Sequence, residues 1–175
     1  MSRDGRRRLL IFVIAYHAEG TLAAVLERIP RSVFDDYDCH VLVVDDASND
    51  RTAEVGREYR RSHPDIATTV LRNEYNQGYG GNQKVGYAFA IRGGFDFVAM
   101  IHGDGRYAPE ELPHLVAPLA AGNADAVFGS RMMTHFGALK GGMPLYKFVG
   151  NLVLTAVQNV LLGTRLTEFH SGYRV

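Results

Sequence analysis

Apolar residues along this chain fall into short uninterrupted runs separated by stretches with helical spacing. Residues 9–14 (Leu-Leu-Ile-Phe-Val-Ile) are the first run and residues 40–44, from His40 through Val44, the second. A continuous apolar run marks a strand covered on both faces, as in a parallel sheet between two helical layers. Between the two runs, Leu22, Val25, Leu26 and Ile29 recur at helical spacing behind Thr21, a capping residue type, and Pro30 closes the segment. Ser48, Asn49, Asp50 and Thr52 then offer several caps for a helix reaching about residue 62, with Pro64 beyond it. Residues 68–71 predict a third, shorter strand, 82–91 a helix, 97–101 a fourth strand and 126–129 a fifth. Pro109 opens a further helix that turns Leu112, Leu115, Val116 and Leu119 inward. Such alternation predicts an α/β fold, a doubly wound and mostly parallel sheet with helices on both faces. Residues 143–162 return to helical spacing with a wide apolar stripe. The pattern favours a core helix with a polar edge over a surface helix that meets a membrane.

Composition narrows the class without changing this picture. The 175 residues are 46% hydrophobic and 22% charged, which suits one compact domain over 1–175. The chain stops within what reads as a motif, residues 167–175, with no closing element after it, so the domain is expected to be truncated at its C-terminal side. Basic and acidic residues balance at 19 each, so no global field favours nucleic acid, and an anionic ligand has to be held by local groups. The lone Cys39 cannot form an internal disulfide and fits a reducing, cytoplasmic compartment. Arg6, Arg7 and Arg8 before an apolar run imitate a signal peptide, but the run is short and lacks a small-residue cleavage pattern. No stretch reaches the roughly 18 consecutive apolar residues of a spanning helix. The expected location is cytoplasmic, at most peripheral at the inner face of the membrane.

Candidate chemistry collects behind the strands. Glu19 follows the first, Asp45 and Asp46 the second, a glycine-rich segment around Gly78 and Gly80 the third, and Asp104, between Gly103 and Gly105, the fourth. Ligands of open α/β sheets sit at that carboxyl edge, where the strand-tip loops line a crevice. A P-loop string, a Gly-x-Gly-x-x-Gly turn after the first strand and a Gly-x-Ser-x-Gly elbow are all missing. Each remaining residue has a plainer reading as well: Asp45 and Asp46 also suit helix capping, Asp104 a strand-to-loop turn, and Lys84 a solvated surface charge.

In order and spacing these pieces resemble family 2 glycosyltransferases of the GT-A fold, close to the dolichyl-phosphate mannosyltransferase-like branch. Ala15-Tyr16-His17-Ala18-Glu19 stands for the family's Pro-x-Tyr-Asn-Glu, and residues 44–52 for Val-Asp-Asp-Gly-Ser-x-Asp-x-Thr. Asn76-Gln77-Gly78-Tyr79-Gly80 matches Asn-x-Gly-x-Gly, His102-Gly103-Asp104 stands at Asp-x-Asp, Gly129-Ser130-Arg131 follows, and Ser171-Gly172-Tyr173-Arg174 matches Ser-Gly-Phe-Arg. The resemblance implies that Tyr16, Glu19 and Asp46 hold the base and ribose of a UDP- or GDP-linked sugar, with Asp45 supporting the loop. It places Gly78, Gly80 and Lys84 near the diphosphate, and Arg131 and Arg174 on the charge of the leaving group. Glu168 matches an Asp of the family and is the candidate base for a hydroxyl acceptor.

The metal positions depart from the branch, which supplies Asp, Asp and Gln where this chain has His102, Asp104 and Arg106. Asp104, with His102 as a second ligand, is the expected site of Mn²⁺ or Mg²⁺; alternatively Arg106 replaces part of the ion's charge. The implied acceptor is a polyprenyl phosphate or another glycan acceptor, reached by peripheral membrane contact, with a homodimer as a further expectation. A nucleotidyltransferase of related fold and a non-catalytic nucleotide-sugar-binding domain are the rival readings.

Overall fold

The buried runs become parallel strands β1 (Arg8–Ala15), β2 (Asp38–Asp45), β3 (Thr68–Arg72) and β4 (Phe97–His102), in the order β3-β2-β1-β4. The structure is a computed structural model and describes residues 5–130, 132, 143–169 and 171–175. Around the strands lie α1 (Leu22–Glu27), α2 (Arg31–Asp36), α3 (Thr52–Ser62), α4 (Gly78–Gly93), a 3-10 turn (Pro109–Glu111), α5 (Leu112–Ala120) and α6 (Leu145–Leu162). The chain divides into two compact units, one reaching Val127 and including Arg174 and Val175, the other Phe128–Tyr173.

In the first unit the sheet is covered on both faces, as the unbroken apolar runs require. Leu10, Phe12, Ile14, Leu42, Val44 and Met100 form one buried layer with Ala90 of α4. On the other face Gly56 lets α3 approach closely: a Cβ there would lie 3.2 Å from Val70 and 3.5 Å from Val43. Cys39 is half-buried, its thiol donating to the Val33 carbonyl at 3.3 Å, and burial pushes it up to about 12.

Four sequence expectations are corrected. Residues 126–129 do not form a fifth parallel strand. Arg174 forms an antiparallel bridge to Met100 of β4, and Val127 exchanges hydrogen bonds of 2.8 and 2.9 Å with Val175, so the C-terminal residues take the place beside β4. The helix expected from 82 begins at Gly78, because the glycines of its first turn face open space or pack on Gln77 instead of breaking it. Pro30 does not simply end a helix; it is the N-cap of α2, which periodicity over six residues is too short to reveal. In the second unit α6 is not a core helix: Asn151 and Thr155 are its buried residues, while Val153, Val160 and Leu161 are 58%, 83% and 77% exposed.

The closest helix-to-sheet approach yields a test. A Cβ at Gly86 of α4 would run into the ring of Phe12, which is fully buried on β1 and has nowhere to move. Glycine to alanine inside a helix ordinarily stabilises by up to about 1 kcal/mol. Here overpacking reverses the sign, and Gly86→Ala should lose roughly 1–3 kcal/mol in chemical denaturation, with Phe12→Leu partly restoring the double variant.

Candidate active site

Register brings the strand tips level. Ala15 of β1 stands opposite Asp45 of β2, Ile14 opposite His102 of β4, and Asp45 opposite Arg72 of β3. The chain therefore leaves adjacent buried strands at one edge, where Glu19, Asp46, the α4 start and Asp104 all belong to the first unit.

The two loops after β1 and β2 are tied to each other. His17 and Ala47 hold φ of 49° and 59°, left-handed values that side chains other than glycine seldom adopt and that concentrate at functional sites. What holds them is a set of cross-loop bonds. The His17 N–H donates to Ser48 Oγ at 2.9 Å, the Ala18 N–H to Thr52 Oγ1 at 2.8 Å, and the Arg51 N–H to Glu19 Oε2 at 2.9 Å. Asp45 is fully buried beneath them. Its Oδ1 accepts from the Ser48 hydroxyl and N–H, and its Oδ2, which accepts no hydrogen bond among the described residues, faces Arg72 Nε at 3.4 Å. Asp46 Oδ1 accepts from Asn73 Nδ2 at 2.7 Å and the Gln77 N–H at 2.9 Å, which fixes the approach to α4. Above these carboxylates Tyr16 is 51% exposed, its ring 4.2 Å from that of His17.

At the α4 start Gly78 has φ +71° and its N–H donates to Asn76 Oδ1 at 2.8 Å. A Cβ on Gly80 would meet nothing within 4 Å, so a ligand can come close to the backbone there. Lys84 is exposed one turn on and makes no ion pair among the described residues.

The β4 tip carries a second group of side chains. Tyr79 Oη lies 3.3 Å from His102 Nε2, and the Tyr107 ring meets His102 edge-on at 5.0 Å. Burial pushes the Tyr79 phenol up, and the nearby Arg174 guanidinium opposes that shift. Asp104 Oδ1 accepts from the Arg106 N–H at 3.1 Å, and Oδ2 lies 3.4 Å from Arg106 Nε. Among the described residues no three His, Cys, Asp or Glu side chains form a metal-binding group.

The first unit thus brings together Tyr16, Glu19, Asp45, Asp46, Gly78, Gly80, Lys84, His102, Asp104 and Arg174. Glu168 belongs to the second unit, where it is buried and accepts from Asn151 Nδ2 at 3.0 Å. Arg131 lies outside the described residues. Sequence reasoning missed Ser48 as a cross-loop acceptor, Asn73 as a partner of Asp46, and Tyr79 and Tyr107 as neighbours of His102. Tyr79 sits inside the glycine string already singled out, whereas the others carry no signal before the loops are folded together.

A parallel sheet with carboxylates and a glycine-opened helix at its strand tips is the frame of the GT-A glycosyltransferases. The chain belongs to glycosyl transferase family 2, whose model matches residues 10–161. It is 34% identical over 169 residues to a low-salt glycan biosynthesis hexosyltransferase of Haloferax volcanii, covering 95% of this chain and 38% of that protein. It is 28% identical to the polyprenol monophosphomannose synthase of Mycolicibacterium smegmatis (96% of this chain, 61% of that one). With the undecaprenyl-phosphate mannosyltransferase of Micrococcus luteus it shares 30% (95% and 65%). The chain thus spans from 38% to 65% of these relatives' lengths. Among solved structures, a mannosyltransferase from Pyrobaculum calidifontis in complex with GDP-Man and Mn²⁺ matches with a TM-score of 0.55 at 25% identity, covering 69% of this chain and 34% of that one. The glucosyl-3-phosphoglycerate synthase of Mycobacterium tuberculosis has the same fold, with a TM-score of 0.63 at 22% identity over 99% of this chain and 57% of that one.

The Asp46 geometry predicts a local effect separate from any ligand. Asp46→Ala removes the acceptor of two hydrogen bonds, so the Gln77 amide should lose hydrogen-exchange protection, and the fold should lose roughly 1–3 kcal/mol. Unchanged exchange over residues 73–78 would contradict the assigned bonds.

Proposed function

We propose that this domain transfers a sugar from a UDP- or GDP-linked donor to a polyprenyl phosphate at the cytoplasmic face of a membrane. The observation that carries the reading is the alignment of Glu19, Asp46, the α4 start and Asp104 along one sheet edge, together with relatives that act on polyprenyl phosphates by name. Tyr16 offers a face for the base. Glu19 and Asp46 accept hydrogen bonds from base or ribose with charge-assisted strength. The amides at the α4 start, with Lys84, suit the diphosphate.

Asp104 and His102 fit a divalent ion only in part. One carboxylate and one imidazole suit Mn²⁺ ahead of Mg²⁺, and the remaining ligands have to come from the diphosphate and water. When bound, the ion would neutralise charge on the leaving diphosphate. Arg174, which lies near Tyr79 at the same tip, adds a fixed positive charge, and Arg131 is proposed for the same task. An acceptor phosphate is already anionic, so its oxygen attacks the anomeric carbon, the bond from that carbon to the diphosphate breaks, and no base is consumed. A hydroxyl acceptor would need one, and Glu168 is the candidate.

Membrane contact is assigned to α6. The helix is long and apolar enough to cross a bilayer, with a mean hydropathy of 1.3. Its inner face, however, is held to its own unit through Asn151 and Glu168, so it lies on the surface with the exposed apolar side in lipid and Lys147 near the headgroups.

Full-length protein incubated with radiolabelled UDP- and GDP-sugars and polyprenyl phosphate should yield a lipid-linked sugar, and Asp104→Asn should lower kcat by about 100-fold or more. Nucleotide binding without turnover on any donor would leave a binding domain. Sugar 1-phosphate plus nucleoside triphosphate giving a nucleotide sugar would indicate a nucleotidyltransferase. Anionic liposomes should co-sediment the protein, and Val153→Asp with Val160→Asp should release it. Retention of that variant would overturn the membrane contact of α6, and a concentration-dependent dimer lost in it would assign the face to a second copy instead.

A further inference from the structure

The β4 tip presents a carboxylate and a guanidinium together where a divalent ion is proposed to sit, and the loop that carries them is fastened at both ends. Gly103 donates its N–H to the Ile14 carbonyl at 2.8 Å and accepts from Thr21 Oγ1 at 2.7 Å. At the far end Arg28 grips Glu110 with two bonds of 2.6 and 2.9 Å. Thr21 and Arg28 flank the same short helix, α1, so one element holds both ends of the loop. Between these anchors Gly105 reverses the chain at φ +74°, and the Arg106 N–H and side chain both turn back onto Asp104.

That ion pair is weak. The side chains are 75% and 41% exposed, a setting in which such pairs contribute little. The guanidinium has no other ion-pair partner among the described residues. Arginine cannot ligate a metal, but it grips diphosphate oxygens in a bidentate fork. A divalent ion and Arg106 therefore compete for Asp104 until a diphosphate arrives that can take the guanidinium.

Resting on the reading that this edge binds a nucleoside diphosphate, we infer that Arg106 exchanges partners, leaving Asp104 for the diphosphate as the donor binds and so releasing the carboxylate to the ion. The exchange couples the two ligands. Without nucleotide Arg106 weakens divalent-ion binding at Asp104, and without the ion Arg106 retains part of the nucleotide affinity.

Calorimetry of GDP and UDP binding to the full-length protein, in excess Mn²⁺ and in EDTA, tests this with Arg106→Gln and Arg106→Lys. Electron paramagnetic resonance of Mn²⁺ without nucleotide completes the set. In EDTA, Arg106→Gln should bind nucleotide at least tenfold more weakly than the wild type, and Arg106→Lys should fall between them. Arg106→Gln should also bind Mn²⁺ alone several-fold more tightly. If the wild type binds nucleotide and Arg106→Gln binds it equally well in EDTA, or takes up Mn²⁺ no better, the exchange is wrong and the donor site stands. Should the wild type bind neither nucleotide in either condition, the donor site itself falls, and this inference with it.

Discussion

The structure depends on the parallel register of strands buried on both faces. β1 is buried at seven of its eight positions, so a charged side chain can be accommodated only where the strands end. Register then decides which residues meet there: Asp45 is the last residue of β2, opposite the last of β1, and His102 ends β4 one step away. Carboxylates accordingly stand at the strand ends: Asp45, Asp46 and Asp104 at the carboxyl edge, and Asp38 and Asp96, both held by Arg8, at the amino edge.

What the strands bring level, the loop side chains then lock. The helices that follow the strands have no side-chain bond at their N-caps. Asp50 and Asn76 take the N–H of the first residue of α3 and of α4, whereas three other residues of capping type work between loops. Thr21 bonds Gly103 across to β4, Thr52 receives the Ala18 amide, and Ser48 receives that of His17. Strained backbone at His17 and Ala47 persists because these neighbours over-determine it. The result is a rim whose donors and acceptors are positioned before any ligand arrives.

This arrangement explains what the sequence discloses and what it hides. The strands β1, β2 and β4 are legible because burial writes an uninterrupted apolar run, and the α1 and α5 patterns because one face of each is covered. Thr21 and Ser48 have the same composition signal whether they cap a helix or tie two loops, so periodicity assigned them to caps. Residues 126–129 have the composition of a strand, but no local feature reveals that Arg174 takes the place beside β4. Of the site, the residues that end strands or sit in glycine strings could be found. Asn73 and Tyr107 could not, because their roles exist only once separate loops are adjacent.

The sequence pattern misled most at α6, and the reason is physical. An apolar stripe is taken to face inward because water is assumed outside, yet here Asn151 and Thr155 are the buried positions and Asn151 donates to Glu168. That inner face is polar: Asn151 Oδ1, Thr155 Oγ1 and Gln158 Oε1 are buried without hydrogen-bond partners among the described residues. A helix selected only to hold its unit together in water would reverse the arrangement. Under the proposed function, polar residues inside and apolar residues outside satisfy a different pair of neighbours, a buried carboxylate on one side and an apolar medium on the other. On the proposed reading those are the candidate base Glu168 and the lipid that carries the acceptor.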